Sequence, residues 1–459
     1  MQHRRAFTIL NVLALVCPHQ ANAHASEQGF VLLLPTDLYT GAGVVAVVLT
    51  VAALLIVPGG WVARLYAPVS LPRIKLRGLA RVTSIISGVL LLALIATGLY
   101  GPTDPLSNPL VLTVWVVFWL GLLTFQALLG DIWSFLSPVM GLLRLLRVIL
   151  GPRAFARLPR NIGYWPGILG FLLFAYILLA DPKPADPRHL ARLVAGYLVF
   201  QLGFAFVYGP RWIARGDIFT VVMRTFGRTS IFGKYKLGFP GWKITDFGQV
   251  PLETAVLCVL LLGTGSFDGL NETFWWLGML GMNPLEFSGR SAVVWHNTIG
   301  MILANLALLG IFLGTLALGN VLVSKNLPLR QSLCLFAPTL LPIAIGYHVA
   351  HYLPSFLVDS QYVMVALSDP FLTGADLLGL GDFYVTTGFF NTQDSVRLIY
   401  LTQAFAVVAG HVIAVLVAHS VAIRIYQNRK DAIFSQIPLS AFMVIYTFLG
   451  LWLLASPRF

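Results

Sequence analysis

Charge is what this chain has least of. Of its 459 residues, 10% are charged and 58% are hydrophobic, whereas soluble domains carry about a quarter charged residues. That balance excludes an ordinary soluble globular protein. Cysteine is nearly absent. Cys17, Cys258 and Cys334 all stand in apolar runs and no CxxC occurs, so there is no disulfide framework in the loops. Short alternating segments are also missing, which excludes a transmembrane β-barrel. No GxxxxGK[ST] loop, GxSxG elbow or HExxH helix occurs, so those three chemistries lose their signatures.

What is present is a series of apolar runs reaching the ~20 residues that span a bilayer. Ten are read, at 38–58, 82–100, 110–130, 163–180, 190–208, 249–266, 291–323, 332–353, 396–424 and 437–455. The expected fold is all-α, a polytopic transmembrane helical bundle. Residues 24–459 form one integral membrane domain. Residues 1–23 read as a signal peptide, with Arg4 and Arg5, the short apolar core Ala6–Cys17, and Ala21-Asn22-Ala23 as a small-x-small cleavage site. Cleavage there makes His24 the first mature residue. A second frame, Ala23-His24-Ala25, would remove it, and an uncleaved first helix is a third reading.

The net charge of +12 follows topology rather than a nucleic-acid partner. With the mature N-terminus outside, the five inside connections hold five, five, seven, two and three Lys or Arg residues. The outside holds Lys183, Arg188, Arg192, Arg290, Arg397 and Arg458. This obeys the positive-inside rule at every inside loop. Acidic residues collect outside, as solvated loops or as a cation-attracting face. The stretch Val139–Leu158, VMGLLRLLRVILGPRAFARL, reads as a helix on the inner membrane surface.

Histidines supply candidate ligands. His296 lies near the outer end of the seventh run. His348 and His351, in YHVAHYL, lie three apart near the outer end of the eighth, on one helical face. His411 lies deeper, in the ninth. With His24 these form a candidate site for a divalent metal of open identity, since ionisable groups inside a membrane are costly and become functional candidates by default. The stretch Pro354–Ser395 reads as a long outer loop with five aspartates. Asp359 and Asp369, nearest the histidines, are the preferred catalytic carboxylates.

The segments HASEQGFVLLLPTDLY and YHVAHYL, the latter before an Asp-bearing loop, resemble the bacterial membrane-bound fenitrothion hydrolase family. The resemblance implies a multi-pass protein of the bacterial inner membrane with a periplasmic mature N-terminus. It also implies hydrolysis of the P–O–aryl bond of a small apolar organophosphorus triester. It carries over no catalytic residue. A bound divalent metal would lower the pKa of its water and polarise the phosphoryl group. Two alternatives use the same histidines. One is copper-type metal transport or handling, against which only eight methionines offer soft ligands. The other is a haem-binding redox protein with paired axial histidines. N-terminal sequencing of the membrane-extracted protein is expected to start at His24; a start at Ala25 or Met1 removes that residue from any free-amine chelate.

Overall fold

The structure is a computed structural model that describes residues 31, 33–72, 77–151, 154–324, 326–426 and 428–458. The signal-peptide expectation and His24 lie outside the described residues. A bilayer core offers no water to backbone N–H and C=O groups, so apolar runs close their own hydrogen bonds as helices. Among the described residues, eleven helices are long and apolar enough to cross a membrane. They include α1 (Thr36–Ile56), α2 (Arg77–Tyr100), α3 (Pro109–Leu128), α5 (Trp165–Leu179) and α6 (Pro187–Tyr208). The second half holds α7 (Leu252–Asn271), α8 (Val294–Val321), α9 (Leu341–Ser368), α10 (Gln393–Ile425) and α11 (Ile437–Ala455). The protein is an all-α, multi-pass helical bundle. Its described strands are three of two residues each, β1 (Val69–Ser70), β2 (Phe232–Gly233) and β3 (Lys236–Leu237), in the antiparallel order β1-β3-β2. Val69 pairs with Leu237, and Leu237 with Phe232, which ties two basic connections together.

The eleventh apolar helical stretch is Trp133–Leu150, and it differs from the surface helix expected over 139–158. It breaks at Ser137, whose hydroxyl caps α4 (Pro138–Leu150) by accepting from Met140 N–H. Thr83 and Ser87 of α2 donate to the carbonyls of Phe135 and Leu136. Arg144 donates to Ala80 O at 2.9 Å. The segment therefore runs beside the first turns of α2 and turns back to the basic end. Of the arginines that suggested a surface helix, Arg144 is held by α2, while Val139, Leu142 and Leu143 are buried.

A second difference concerns α9, which was expected to stop at residue 353. It continues through Pro354 to Ser368. Proline removes one N–H from the ladder and usually reads as a stop, but the far half is held by packing, with Val363 and Ala366 against Leu112 and Val116 of α3. Asp359 is thus helical, and the loop begins only at Asp369.

The bundle is layered by burial. The best apolar windows of the α9 stretch, α7 and α10 are 83%, 72% and 61% buried, against 22% for α1. These three helices form the centre and the others face outward. The α9–α10 contact is backbone to backbone. A Cβ on Gly346 would stand 2.5 Å from Ala406 O, and one on Gly410 would stand 2.5 Å from Pro342 O and 3.4 Å from Gly346 Cα. Small residues at such crossings substitute van der Waals contact for the hydrophobic drive that lipid does not provide. Gly410→Val is expected to lower the melting temperature of the detergent-solubilised protein, by the ~1–3 kcal/mol or more that overpacking costs. Gly41→Val, whose Cβ meets nothing within 4 Å, serves as the silent control. Equal melting of the two variants would contradict the crossing.

Candidate metal centre

The centre begins with two carboxylates on α7 and just past its end. Asp268 and Glu272 are four residues apart, hence on one helical face. From α9, His351 points at both, its Nε2 lying 3.4 Å from Asp268 Oδ2 and 3.9 Å from Glu272 Oε2. Ligand atoms of the three residues all fall within 4.8 Å of one another, and together they could hold a metal ion. Side-chain exposure is 4% for His351, 7% for Asp268 and 34% for Glu272, so the group is buried on one side and opens on the other.

Neighbours fix each member. Tyr352 O–H donates to Asp268 Oδ2, and Trp119 Nε1–H donates to Tyr352 Oη at 3.4 Å. Tyr347 stacks on the His351 ring, with centroids 5.8 Å apart and planes 11° apart. Gly269 makes that possible, since a Cβ there would sit 1.7 Å from Tyr347 Oη. Trp119 lies in a π-helical stretch of α3, Thr113–Leu122. Such widened turns recur at functional sites because they re-aim side chains and free carbonyls.

Arg458 orients the histidine ring. Its Nη1 lies 3.1 Å from His351 Nδ1 and 3.8 Å from Glu272 Oε2. A guanidinium only donates, so Nδ1 accepts and the ring proton sits on Nε2, facing the carboxylates. Two carboxylates, the Arg458 guanidinium and a neutral imidazole sum to −1 over these four side chains, and the Arg290 guanidinium also lies close enough to act on Asp268. The segment carrying Arg458 is anchored by the Phe274 N–H to Pro457 O bond of 3.0 Å and by a bridge between Thr273 and Arg458.

Beside the group is an enclosed cavity of about 30 Å³ lined by Trp119, Thr264, Asp268, Tyr347, His348, His351 and Tyr352. His348 Nε2 and Tyr347 Oη are buried there without a hydrogen-bond partner. A water needs roughly 10–15 Å³ of such space, so the cavity suits one or two waters.

Of the expected ligands, then, only His351 joins the three-residue group. His348 shares the cavity, but its ring packs edge-on to Trp119 at 5.5 Å and faces α3 rather than the carboxylates. The three-residue spacing thus directs the two rings to different neighbours. His296 is exposed on α8. His411 is buried deeper, with Nδ1 2.8 Å from Val407 O and Nε2 unpartnered. Asp359 lies eight residues beyond His351, ~12 Å along the helix, and Asp369 ~27 Å. Neither meets the group. Asp369 instead accepts from the N–H groups of Thr373 and Gly374 at 2.9 and 2.7 Å. The Thr373 N–H foremost holds its carboxyl below the usual carboxylate range, which suits a loop clamp and weakens it as a base.

The expectation missed Asp268 and Glu272 because the sixth run was ended at residue 266. The signal was an Asp-x-x-x-Glu pair closing an apolar run, where desolvated carboxylates call for partners. In comparisons with protein-family models, curated proteins and solved structures, nothing matches this chain.

Asp369→Ala is expected to expose the 369–392 loop to limited proteolysis while leaving metal binding at the three-residue group unchanged. A loss of metal binding in that variant would return Asp369 to the centre.

Proposed function

We propose that this is a membrane-embedded metal-handling protein whose Asp268, Glu272 and His351 take a divalent cation that is then passed along the bundle interior. The observation that carries the reading is a net −1 group placed between the most buried helices. Isolated charge is costly in a low-dielectric interior, so this group is poised for a cation. Two carboxylates and an imidazole are an ordinary set for zinc, manganese, iron or cobalt. With a divalent ion bound and Arg458 withdrawn, the charges sum to zero. Arg458 would therefore give way to the metal, and its withdrawal would let the ring proton move to Nδ1 and free Nε2 as a ligand.

Interior polar groups continue away from the centre and support passage. Ser266 and Tyr446 hydroxyls meet at 2.6 Å. Asn305 donates to Thr264 at 3.3 Å and keeps an unpartnered, buried Oδ1. His411 holds its unpartnered Nε2 on α10. The whole chain holds only eight methionines and three cysteines, which favours borderline metals over Cu(I).

Hydrolysis of an organophosphorus triester such as fenitrothion is the second reading. It is favoured by the one-third exposure of Glu272 beside the Arg458 guanidinium, an arrangement that would let a phosphoryl oxygen approach from outside. A bound divalent ion would supply Lewis acidity and an activated water. The 30 Å³ cavity does not hold a triester, so substrate would have to meet the group from the Glu272 side.

Calorimetry with zinc and manganese on the purified full chain tests the centre. Saturable binding is expected, with Asp268→Asn and His351→Ala weakening it at least tenfold and Arg458→Gln tightening it. Absence of binding in both the parent and Arg458→Gln would end the proposal. Radiolabelled metal uptake into proteoliposomes, set against release of the aryl alcohol from fenitrothion, separates transport from hydrolysis.

A further inference from the structure

Far from the metal centre, near the basic end, a groove of about 610 Å³ runs between α1 and α11, floored by α10. Its walls are apolar, with Val48, Leu54 and Leu55 on one side and Val444 and Ile445 on the other. A groove of this size and lining is typical of a ligand site when a few polar groups converge on it. Here they do. His419 lines it while only 5% exposed. Gln436 Nε2 donates to His419 Nδ1 at 3.2 Å, which fixes the proton on Nε2 and leaves that N–H as the ring's remaining donor. Arg429 is not one of the lining residues but sits beside the groove, at the end of α1 whose Leu54 and Leu55 line it. Its Nη2 caps the last carbonyls of α1, Leu55, Ile56 and Val57, at 2.9, 3.2 and 3.3 Å. The side chain is exposed, and among the described residues no carboxylate pairs with it at salt-bridge distance. The neighbouring Asp431 instead lies toward α8's end, where Ser324 donates to it.

We infer that this groove is a binding site for an anionic phospholipid. Three chemical features occur in the order in which a phospholipid carries them. Arg429 beside the groove meets the phosphate, for which a forked guanidinium is suited. The His419 N–H, ~9 Å from the basic end of α10 at 1.5 Å per residue, meets an ester carbonyl. The apolar walls toward the bundle's middle take an acyl chain. An uncharged lipid satisfies the last two features but leaves the arginine without its anion. A lipid held this way would brace α1 against α11 at the end where the basic connections gather, as juxtamembrane cations do with acidic lipid.

The test is native mass spectrometry of the full chain in nanodiscs made with phosphatidylglycerol, phosphatidylcholine or an equal mixture. From the mixture, the parent protein is expected to retain one phosphatidylglycerol at least fivefold over phosphatidylcholine after collisional stripping. Arg429→Gln is expected to erase that preference while still retaining a lipid. Ala441→Phe, which fills the groove and leaves every charge in place, is expected to lose the retained lipid altogether. Equal retention of the two lipids by the parent, an unchanged preference in Arg429→Gln, or full retention in Ala441→Phe would each overturn the site. So would recovery of a quinone in place of phospholipid from protein extracted without added lipid.

Discussion

The contact between Gly346 and Gly410 governs the interior. It brings the backbones of α9 and α10 together, and the surrounding polar geometry follows from that approach. Gln403 on α10 reaches Ala350 O on α9 at 2.7 Å. His348 and His411, within two residues of the crossing glycines, are thereby buried in the bundle. In a bilayer there is no hydrophobic gain from pressing one apolar helix on another, so close backbone approach and interhelical hydrogen bonds carry the specificity.

Around this crossing, the protein tolerates groups that a membrane interior penalises. Asp268 is the sharpest case, a carboxylate with 7% side-chain exposure. It is held by Tyr352 and faced by His351, with Arg458 two contacts away. Removing one partner of a buried ionic set leaves its mate uncompensated, at roughly 3–5 kcal/mol. The set is thus stable only as a whole, or with another cation in Arg458's place. On the proposed reading, the centre is an exchange site rather than a fixed brace. The unpartnered nitrogens of His348 and His411 extend the same unsettled polarity further along the bundle.

The two ends of the molecule solve different problems. At one, Asp268 and Glu272 gather around His351, with Arg458 against Glu272 and Arg290 close enough to act on Asp268. At the other, a small three-stranded sheet joins basic connections, Arg144 donates to the Ala80 carbonyl in the first turn of α2, and Arg429 donates to the last carbonyls of α1.

Most of the fold was legible in the sequence, because length and apolarity alone dictate a spanning helix where backbone groups have no water to bond. Each expected run overlaps an observed helix, but the sixth stopped at 266 where the helix runs on to Asn271. The eighth was cut short at Pro354, since local proline chemistry says stop and only packing against α3 overrides it. The centre was half legible. His351 was readable as a costly group in an apolar run. Its partners were not, because Asp268 and Glu272 come from a helix some eighty residues earlier in the chain, and sequence periodicity on one helix says nothing about which face of another it meets. The sequence by itself determined that this chain forms an apolar helical bundle with its basic connections gathered at one end. Only the tertiary structure decided that His351 turns to two carboxylates while His348 turns to a tryptophan, because three residues of helix rotate a ring by about 60° short of a full turn, enough to give each a different neighbour.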